Sequence, residues 1–499
     1  MEKNSPIHET REMDSPSLST LHESCSRVGS KGEMDEQNPQ NWSNTRKTLL
    51  FIALMSSSLL ADGAMVWGGT LITPQAMEWG ISINKSATSM NYGILLQGFG
   101  GIFAVPLIEA YGRFPVWIWP QIITMFMVLG ATLSTNYDTF TIFRSLQGLF
   151  GTVPQVIGLP IIHDMYSPED HRLISLRGTT FLVGPFLGPA IAGYISAATN
   201  WVTSFGVLTS LYGLSTILVL LFGRETYYAT EKHSKSHLAS YFGIGNTNLP
   251  KCQTLWYWCK TLMIYVFRFP LFMTGIAILI IFTWPIGITT TIDTFLHSPP
   301  YLFNTIEASS MRFAGVIGAL CGISIPPPNT HSNPAAKLMY QGWTFGHFFN
   351  NRIQTHYKTN STQWQPELRL HGVWIPLFSM VCGLLTYGLT MHFGKHWIGI
   401  AFGWILVNIG MVGTIVTITA YALEKYPSQS TCVSAILNMW RTCGGFAVGY
   451  FQPAWIQKNG LGLVFGIQAI VVSVSVILVI VPVLLRERRK SGVEAVCAA

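Results

Sequence analysis

The sequence predicts an all-α polytopic membrane protein with twelve transmembrane helices in two pseudo-symmetric six-helix bundles. Three observations lead to this prediction. Of the 499 residues, 49% are apolar and only 11% are charged, against about 25% charged residues in soluble domains. Apolar runs long enough to cross a hydrocarbon core about 30 Å thick recur along the whole chain. A polar segment near the middle separates six of these runs from another six.

The first half opens with a polar tail at residues 1–47, which is rich in Ser, Glu, Lys and Pro and is therefore predicted to be a disordered cytoplasmic segment. Its length and polarity do not fit a cleavable signal peptide, so we expect the first apolar run to stay in the protein. The predicted spans of the first bundle, residues 48–222, are 48–71, 87–108, 116–134, 139–163, 173–197 and 201–222.

The second half follows a cytoplasmic linker predicted at residues 223–262. The predicted spans of the second bundle, residues 263–485, are 263–290, 301–325, 370–392, 397–422, 431–454 and 461–485. A long cytoplasmic loop at 326–369, to which we assign no function, and a tail at 486–499 complete the chain. Span 4 ends in Asp164-Met165-Tyr166 and span 10 in Glu424-Lys425-Tyr426, an echo that favours a duplicated six-plus-six transporter.

The distribution of Lys and Arg predicts the topology. These residues are concentrated in the even-numbered loops and at the two termini, which places both termini in the cytoplasm. The sequon Asn84-Lys85-Ser86 then faces outward, where Asn84 is a candidate glycosylation site. We expect the protein to be located in the plasma membrane, and the sequence does not distinguish this location from the vacuolar membrane.

Several function classes are not supported. The net charge of +7 is spread over short clusters between apolar runs and not over one soluble face, so nucleic acid is not an expected partner. The eight cysteines lack metal-ligand spacing. Because no phosphate-binding loop, zinc-binding helix or nucleophile elbow occurs, we expect no metal, no cofactor other than a proton gradient, and no enzyme activity. The expected partners are a small-molecule substrate, protons and the bilayer, with no obligate protein partner.

Two carboxylates lie within predicted spans, where an ionised side chain costs at least about 2.5 to 3.5 kcal/mol. Asp62 is in the middle of span 1 and is the leading candidate for a proton or cation site, against the alternative of a structural hydrogen bond to a neighbouring helix. Asp293 lies near the outer end of span 7, where function competes with a solvated helix end. Arg312 in span 8 could form a structural pair with Asp293 or with Glu307.

Two arginines are candidates for coupling. Arg144 opens a stretch that includes Gln147 and Gly148 in span 4, and a permanently charged guanidinium there could orient the proton of a nearby carboxylate. The alternative is a structural clamp near the cytoplasmic end. Arg441 in span 11 is a second candidate of the same kind.

Span 5 combines small residues, which allow close helix contact, with prolines, which remove backbone hydrogen bonds. Two Gly-Pro pairs four residues apart favour a kink or gate, formed by Gly184, Pro185, Gly188, Pro189 and Gly193. Aromatic residues of other spans could stack on a substrate, although membrane tryptophans often mark the interface instead. The candidates are Trp67, Tyr92, Trp284, Trp404 and Trp440, of which Trp67, Trp284 and Trp404 are the preferred ones.

These motifs together resemble the major facilitator superfamily, in particular the fungal twelve-span drug:proton antiporter branch that includes polyamine and multidrug carriers. The resemblance covers residues 38–489. It rests on the segment 38–43 before span 1, on the Arg and Gln-Gly motif of span 4, on the Gly-Pro run of span 5, and on the segment 223–228 after span 6.

The loop after span 2 departs from the superfamily pattern, because it keeps only one acid and one arginine. In the family this loop latches the inward gate through charge pairs. The resemblance therefore implies a weaker latch formed by Glu109, Gly112 and Arg113.

The resemblance implies two bundles rocking around a midplane site. We expect proton-driven export of a small amphipathic compound, such as a secondary metabolite or drug. Two alternatives stay open: proton-coupled uptake of an organic cation such as a polyamine, and a receptor or sensor that binds a ligand without moving it.

Overall fold

The computed structural model describes residues 38–166, 171–226, 251–322 and 366–498. Within these ranges all regular secondary structure is helical, in agreement with the predicted all-α class. Most of the predicted tail at 1–47, of the linker at 223–262 and of the loop at 326–369 lies outside the described residues.

We call residues 38–226 the N-terminal half and residues 251–498 the C-terminal half. The N-terminal half contains α1 (Asn44–Val66), α2 (Ile72–Trp79), α3 (Ile83–Tyr111), α4 (Arg113–Thr132), α5 (Tyr137–Gly151), α6 (Val153–Met165), α7 (His171–Ala198) and α8 (Trp201–Phe222). The C-terminal half contains α9 (Lys251–Val266), α10 (Phe269–Leu296), α11 (Thr305–Met311), α12 (Phe313–Cys321), α13 (Trp374–His392), α14 (Trp397–Lys425), α15 (Ser430–Asn459) and α16 (Leu461–Ala498). Short 3₁₀ helices cover Pro39–Asn41, Trp67–Thr70, Pro366–Val373 and Pro427–Gln429.

Nine helical segments in the described ranges are long and apolar enough to cross a bilayer. They coincide with predicted spans 1–4, 6, 7, 9, 10 and 12. Span 5 has a shorter apolar helix at Leu182–Ala198, span 8 is interrupted at Arg312, and α15 carries polar residues along its buried side. The total of twelve spans therefore stays a prediction, while the membrane-embedded helical fold is clear.

Polar caps explain where several helices begin. A side-chain oxygen at the residue before the helix accepts a hydrogen bond from a backbone N–H of the first turn, which would otherwise lack a partner. The capping residues are Ser43, Ser82, Asn136, Asn200 and Asn304.

The segment that enters span 1 is ordered where a disordered tail was predicted. The Asn38 side chain accepts a hydrogen bond from the Gln40 N–H at 3.0 Å, and the Lys47 ammonium donates to the Gln40 carbonyl at 2.9 Å. Trp42 is 7% exposed and belongs to the core of the N-terminal half. The predicted boundary of the tail at residue 47 is therefore too late.

Three other boundaries differ from the prediction. Helix α9 occupies part of the predicted linker, and span 7 begins at Phe269, where Pro270 fits the first turn of a new helix. Helix α16 continues through the predicted tail to Ala498. Span 8 is interrupted at Arg312, which lies between the end of α11 at Met311 and the start of α12 at Phe313.

The apolar core continues across the two halves. The largest buried cluster consists mainly of C-terminal residues but includes Leu159, Leu182 and Phe186 of the N-terminal half. Large apolar side chains on the outer faces are exposed, which is the arrangement expected where helices contact lipid. Examples are Phe103, Leu133, Phe378, Ile470 and Leu478.

Candidate functional site

Asp62 and Arg441 form a buried ion pair between the two halves. Asp62 is in α1 and Arg441 is in α15, 379 residues away in the chain. The Arg441 Nη1 donates to Asp62 Oδ2 at 2.5 Å, and Nη2 donates to Oδ1 at 2.9 Å. Each residue is only 3% exposed. The two predicted candidates are thus one bidentate site.

Buried amides complete the hydrogen bonding of this pair. The side-chain N–H groups of Gln97 and Gln155 each donate to Asp62 Oδ1 at 2.6 Å. Arg441 Nη2 also donates to Gln155 Oε1 at 3.1 Å and to Asn438 Oδ1 at 2.8 Å. The pair and its amides therefore join α1, α3, α6 and α15.

The sequence reasoning missed the three amide residues. The signal that could have revealed them is the same as for Asp62: Gln97, Gln155 and Asn438 are polar residues within otherwise apolar spans. Asn438 extends the network because its Nδ2 donates to the Thr152 hydroxyl at 3.1 Å, a further contact between the halves.

The energy of such a pair depends strongly on both members being present. Two charges removed from water lose several kcal/mol of solvation each, and good geometry with additional hydrogen bonds offsets this loss. Removing one member leaves a buried charge without compensation, at a cost of about 3 to 5 kcal/mol. A proton bound to Asp62 would have a similar local effect, since it removes the negative charge that holds Arg441.

Arg144 contacts the backbone of α1. Its Nη1 donates to the Ala64 carbonyl at 2.9 Å and to Gln147 Oε1 at 2.6 Å, and its Nη2 donates to the Met65 carbonyl at 2.7 Å. These carbonyls lie where α1 gives way to the 3₁₀ helix Trp67–Thr70. These contacts lie at the C-terminal end of α1, away from the end that is predicted to be cytoplasmic. Both the structural clamp and the coupling role stay predictions.

Helices α3 and α5 touch through glycines. A Cβ atom added at Gly148 would lie 2.1 Å from the Gly93 carbonyl oxygen, a distance that no real Cβ contact tolerates. Gly148 therefore allows the close helix contact that carries Arg144 to α1.

The predicted gate of span 5 packs against α1 beside Asp62. A Cβ atom at Gly188 would lie 2.3 Å from the Gly63 carbonyl oxygen, and one at Gly184 would lie 2.7 Å from the Leu59 carbonyl oxygen. Pro185 and Pro189 are both within helix α7, and the Pro189 carbonyl accepts a hydrogen bond from Thr70.

Gly193 lies closer to the C-terminal end of the same helix and contacts the other half. A Cβ atom there would lie 2.0 Å from the Ser309 hydroxyl oxygen of α11. The whole run allows close contact, as predicted from its small residues, and its action as a gate stays a prediction.

The predicted latch connects α3, α4 and α6 at the end of the N-terminal half that is predicted to be cytoplasmic. Gly112 has φ +99°, a conformation that favours glycine, between α3 and α4. Arg113 forms an ion pair with Asp164, and its backbone N–H donates to Glu225 at 3.2 Å. Glu109 instead is hydrogen bonded to Thr431 of the C-terminal half.

The C-terminal half repeats this arrangement. Arg369, at the start of span 9, pairs with Glu424 at the end of span 10, through Nε to Oε2 at 2.6 Å. Lys425 pairs with Glu367 at 2.7 Å. Arg113 and Asp164 hold the corresponding positions in spans 3 and 4, so the sequence echo between the halves has a structural counterpart.

Asp293 forms the predicted pair with Arg312. Arg312 Nη2 donates to Asp293 Oδ2 at 2.8 Å and to the Thr289 carbonyl at 3.2 Å. Glu307 belongs to a capping box with Asn304 at the start of α11. Of the two predicted partners of Arg312, the ion pair therefore forms with Asp293 and not with Glu307.

The aromatic candidates have different surroundings. Trp67 is buried within the N-terminal half, and its indole N–H donates to Ser204 at 3.0 Å. Trp404 meets Phe186 of the other half edge to face, with ring centroids 6.1 Å apart. The indole nitrogens of Trp284, Trp404 and Trp440 are buried and have no hydrogen-bond acceptor among the described residues, whereas Tyr92 is exposed.

The sequon is partly accessible. Asn84 is exposed in the first turn of α3, while Ser86 is buried and donates to the Ile72 carbonyl at 3.1 Å. Glycosylation at Asn84 stays a prediction.

Comparison with known proteins gives a consistent family assignment. The sequence profile of the Major Facilitator Superfamily matches residues 49–334, more than half of the chain. The chain is 27% identical to the MFS transporter cpaT of Aspergillus oryzae over 90% of its own length and 88% of that protein. It is 24% identical to the efflux pump radE of Floropilus chiversii, covering 86% and 78% of the two chains. It is 25% identical to the MFS-type transporter penM of Penicillium rubens, covering 86% and 83%.

Proposed function

Because this chain belongs to the major facilitator superfamily and is an integral membrane transporter, we propose that it exports a small amphipathic organic compound by proton-coupled alternating access. The observation that carries the proposal is the Asp62–Arg441 pair. Asp62 is a carboxylate buried where the two halves meet, and its negative charge holds Arg441 of the other half.

In this mechanism the two bundles, 48–222 and 263–485, rock about the site. With Asp62 ionised, Arg441 and the amides of Gln97 and Gln155 hold the halves at the middle of the membrane. A proton on Asp62 weakens the hold of Arg441, so the halves can part and the substrate can exchange. The glycines of α7, which pack on α1 beside Asp62, would transmit this change along the helix to the contact at Gly193.

Export is favoured over uptake of an organic cation. Both carboxylate oxygens of Asp62 are already bound to Arg441 in this conformation, so a cationic substrate would have to displace a guanidinium. A relative of this chain is named an efflux pump. We further propose a plasma-membrane location with both termini in the cytoplasm, on the Lys and Arg distribution.

The test is flux in liposomes that contain the purified protein and an imposed pH gradient. A panel of neutral amphiphiles and organic cations is compared for the parent, Asp62→Asn and the matched control Asp138→Asn, which changes an exposed carboxylate at the start of α5. We expect gradient-driven transport in the parent and the control, and its loss in Asp62→Asn.

Each outcome is informative. Coupled transport that persists in Asp62→Asn would contradict the role of Asp62. Ligand binding without flux of any compound would favour a receptor or sensor. Accumulation with the proton gradient, in the same direction as the protons, would indicate uptake.

A further inference from the structure

A second buried charge, Arg312, has hydrogen-bond donors that the protein does not use. Its side chain is fully buried. Nη2 binds Asp293 and the Thr289 carbonyl, but Nε and Nη1 have no acceptor among the described residues. One of the three guanidinium nitrogens thus makes all the protein contacts found there.

Burying these two donor nitrogens without an acceptor costs free energy, and a purely structural ion pair would not require it. A guanidinium stays charged and keeps all its N–H donors in a protein. A buried donor without an acceptor loses its hydration and gains nothing in return. An acceptor from outside the protein would remove this cost.

Two further polar atoms without a hydrogen-bond partner lie within electrostatic range of Arg312 or on its ion-pair partner. The Tyr387 hydroxyl is completely buried and has no partner among the described residues, and it is close enough to Arg312 and Asp293 for electrostatic interaction. Asp293 Oδ1 is likewise without a partner there. Nε and Nη1 of the guanidinium and the hydroxyl of the phenol are thus buried donors without an acceptor among the described residues.

The position lies along the contact between the halves. A Cβ atom at Gly69 would be 4.0 Å from Arg312 Nη2, and Gly69 is seven residues beyond Asp62, about 10 Å further along the helix. Just before Arg312, Ser309 contacts Gly193 and Ser310 is hydrogen bonded to Tyr194 at 2.6 Å. A molecule passing between the halves would therefore meet Arg312.

We propose that Arg312, assisted by Tyr387, binds a carboxylate of the transported molecule, so that organic acids are substrates. A carboxylate is the acceptor that forms the strongest hydrogen bonds with a guanidinium. Asp293 orients Arg312 through Nη2 and opposes the incoming negative charge, which keeps binding reversible. This inference deepens the proposed transport function and rests on it for the identity of the ligand as cargo.

The test measures binding to the purified full-length protein by thermal shift and by equilibrium dialysis. The probes are aromatic and long-chain carboxylates, each paired with its primary alcohol. The variants are Arg312→Gln, Asp293→Asn and Tyr387→Phe, with Arg268→Gln as the control at an exposed arginine.

We expect some carboxylates, and not their alcohols, to bind the parent. Arg312→Gln should weaken this binding roughly tenfold to a hundredfold, the range for a hydrogen bond to a charged group, and Tyr387→Phe should weaken it less. Asp293→Asn should retain or strengthen it because a repelling charge is removed, while the control should bind like the parent.

The proposal is overturned if no carboxylate binds better than its alcohol, which would leave water as the acceptor. It is also overturned if Asp293→Asn and Arg312→Gln weaken binding equally, because a merely structural pair predicts equal effects. Flux of neutral compounds by Arg312→Gln, still dependent on Asp62, would show that proton coupling stands even where the acid site fails.

Discussion

A carboxylate deep in a membrane helix needs partners, and Asp62 has them on three other helices. Gln97 and Gln155 come from its own half, and Arg441 comes from the other half. The hydrogen bonds within the N-terminal half can persist while the contact to Arg441 is made or broken. This division suits a group that must stay in place during a change of conformation.

A double-mutant cycle at this pair would measure its energy. Asp62→Asn and Arg441→Gln should each destabilise the protein by about 3 to 5 kcal/mol, because each leaves a buried charge or its amides mismatched. The double variant should lose less than the sum, with a coupling energy of about 1 to 3 kcal/mol. The measurement is chemical unfolding in detergent micelles.

A control cycle combines Arg441→Gln with Asp138→Asn, which is exposed and belongs to another part of the fold. These two effects should add. Additive effects for the Asp62 and Arg441 variants as well would mean that the pair contributes no coupling.

Single residues were the most predictable part of the site, but their pairing was not. Asp62 and Arg441 stand out as charges within apolar spans. No local pattern relates two residues 379 positions apart. The surrounding amides are uncharged, so they do not stand out in the sequence as Asp62 and Arg441 do. Arg312 and Asp293 were predictable as a pair because their spans are neighbours in the chain.

Glycine contacts determine how closely the helices approach. Gly188→Ala and Gly148→Ala would each place a Cβ atom within 2.3 Å of a backbone carbonyl oxygen. Because backbone cannot move aside as a side chain can, we expect each to destabilise the protein by about 1 to 3 kcal/mol. The midpoint of thermal unfolding in detergent would report this loss.

Gly213→Ala is the matched control. The nearest atom to a Cβ there is the Met125 sulfur at 4.0 Å, and alanine favours a helix over glycine by about 1 kcal/mol. This variant should keep or raise the midpoint. If Gly188→Ala also kept it, the contact between α7 and α1 would be looser than the structure indicates.

The sequence predicted where helices occur better than where they end or break. Apolar length marks the spans, but the break at Arg312 and the ordered segment around Trp42 depend on tertiary contacts. Helix α9 was assigned to a linker because its Lys, Trp and Cys residues give no long apolar run.

The two halves touch at several depths along their boundary. Glu109 meets Thr431 at the C-terminal end of α3, Asp62 of α1 meets Arg441 of α15, and Gly193 meets Ser309 near the C-terminal end of α7, which is predicted to face outward. Alternating access requires that the contacts at the two ends open in turn.

A disulfide across the outer contact would test this requirement. In the structure a Cβ atom at position 193 would lie 3.1 Å from the Ser309 Cβ, close to the roughly 3.5 to 4.5 Å of a disulfide. Oxidation of the double variant Gly193→Cys with Ser309→Cys should stop flux in liposomes, and dithiothreitol should restore it.

Each single cysteine variant, treated with the same oxidant, controls for the native cysteines. Flux at the parent rate through the cross-linked protein would show that this contact does not open during transport.

The Asp62–Arg441 pair also has a consequence for biosynthesis. Chains emerge N-terminus first, so α1 enters the membrane long before α15 has been translated. During that interval Asp62 has only Gln97 and Gln155 from its own half. Hydrogen bonds from these two amides would then stabilise the carboxylate until Arg441 is in place. A chain that ended before span 11 would keep these amide hydrogen bonds but lack Arg441, so Asp62 would remain a buried acid without an opposite charge.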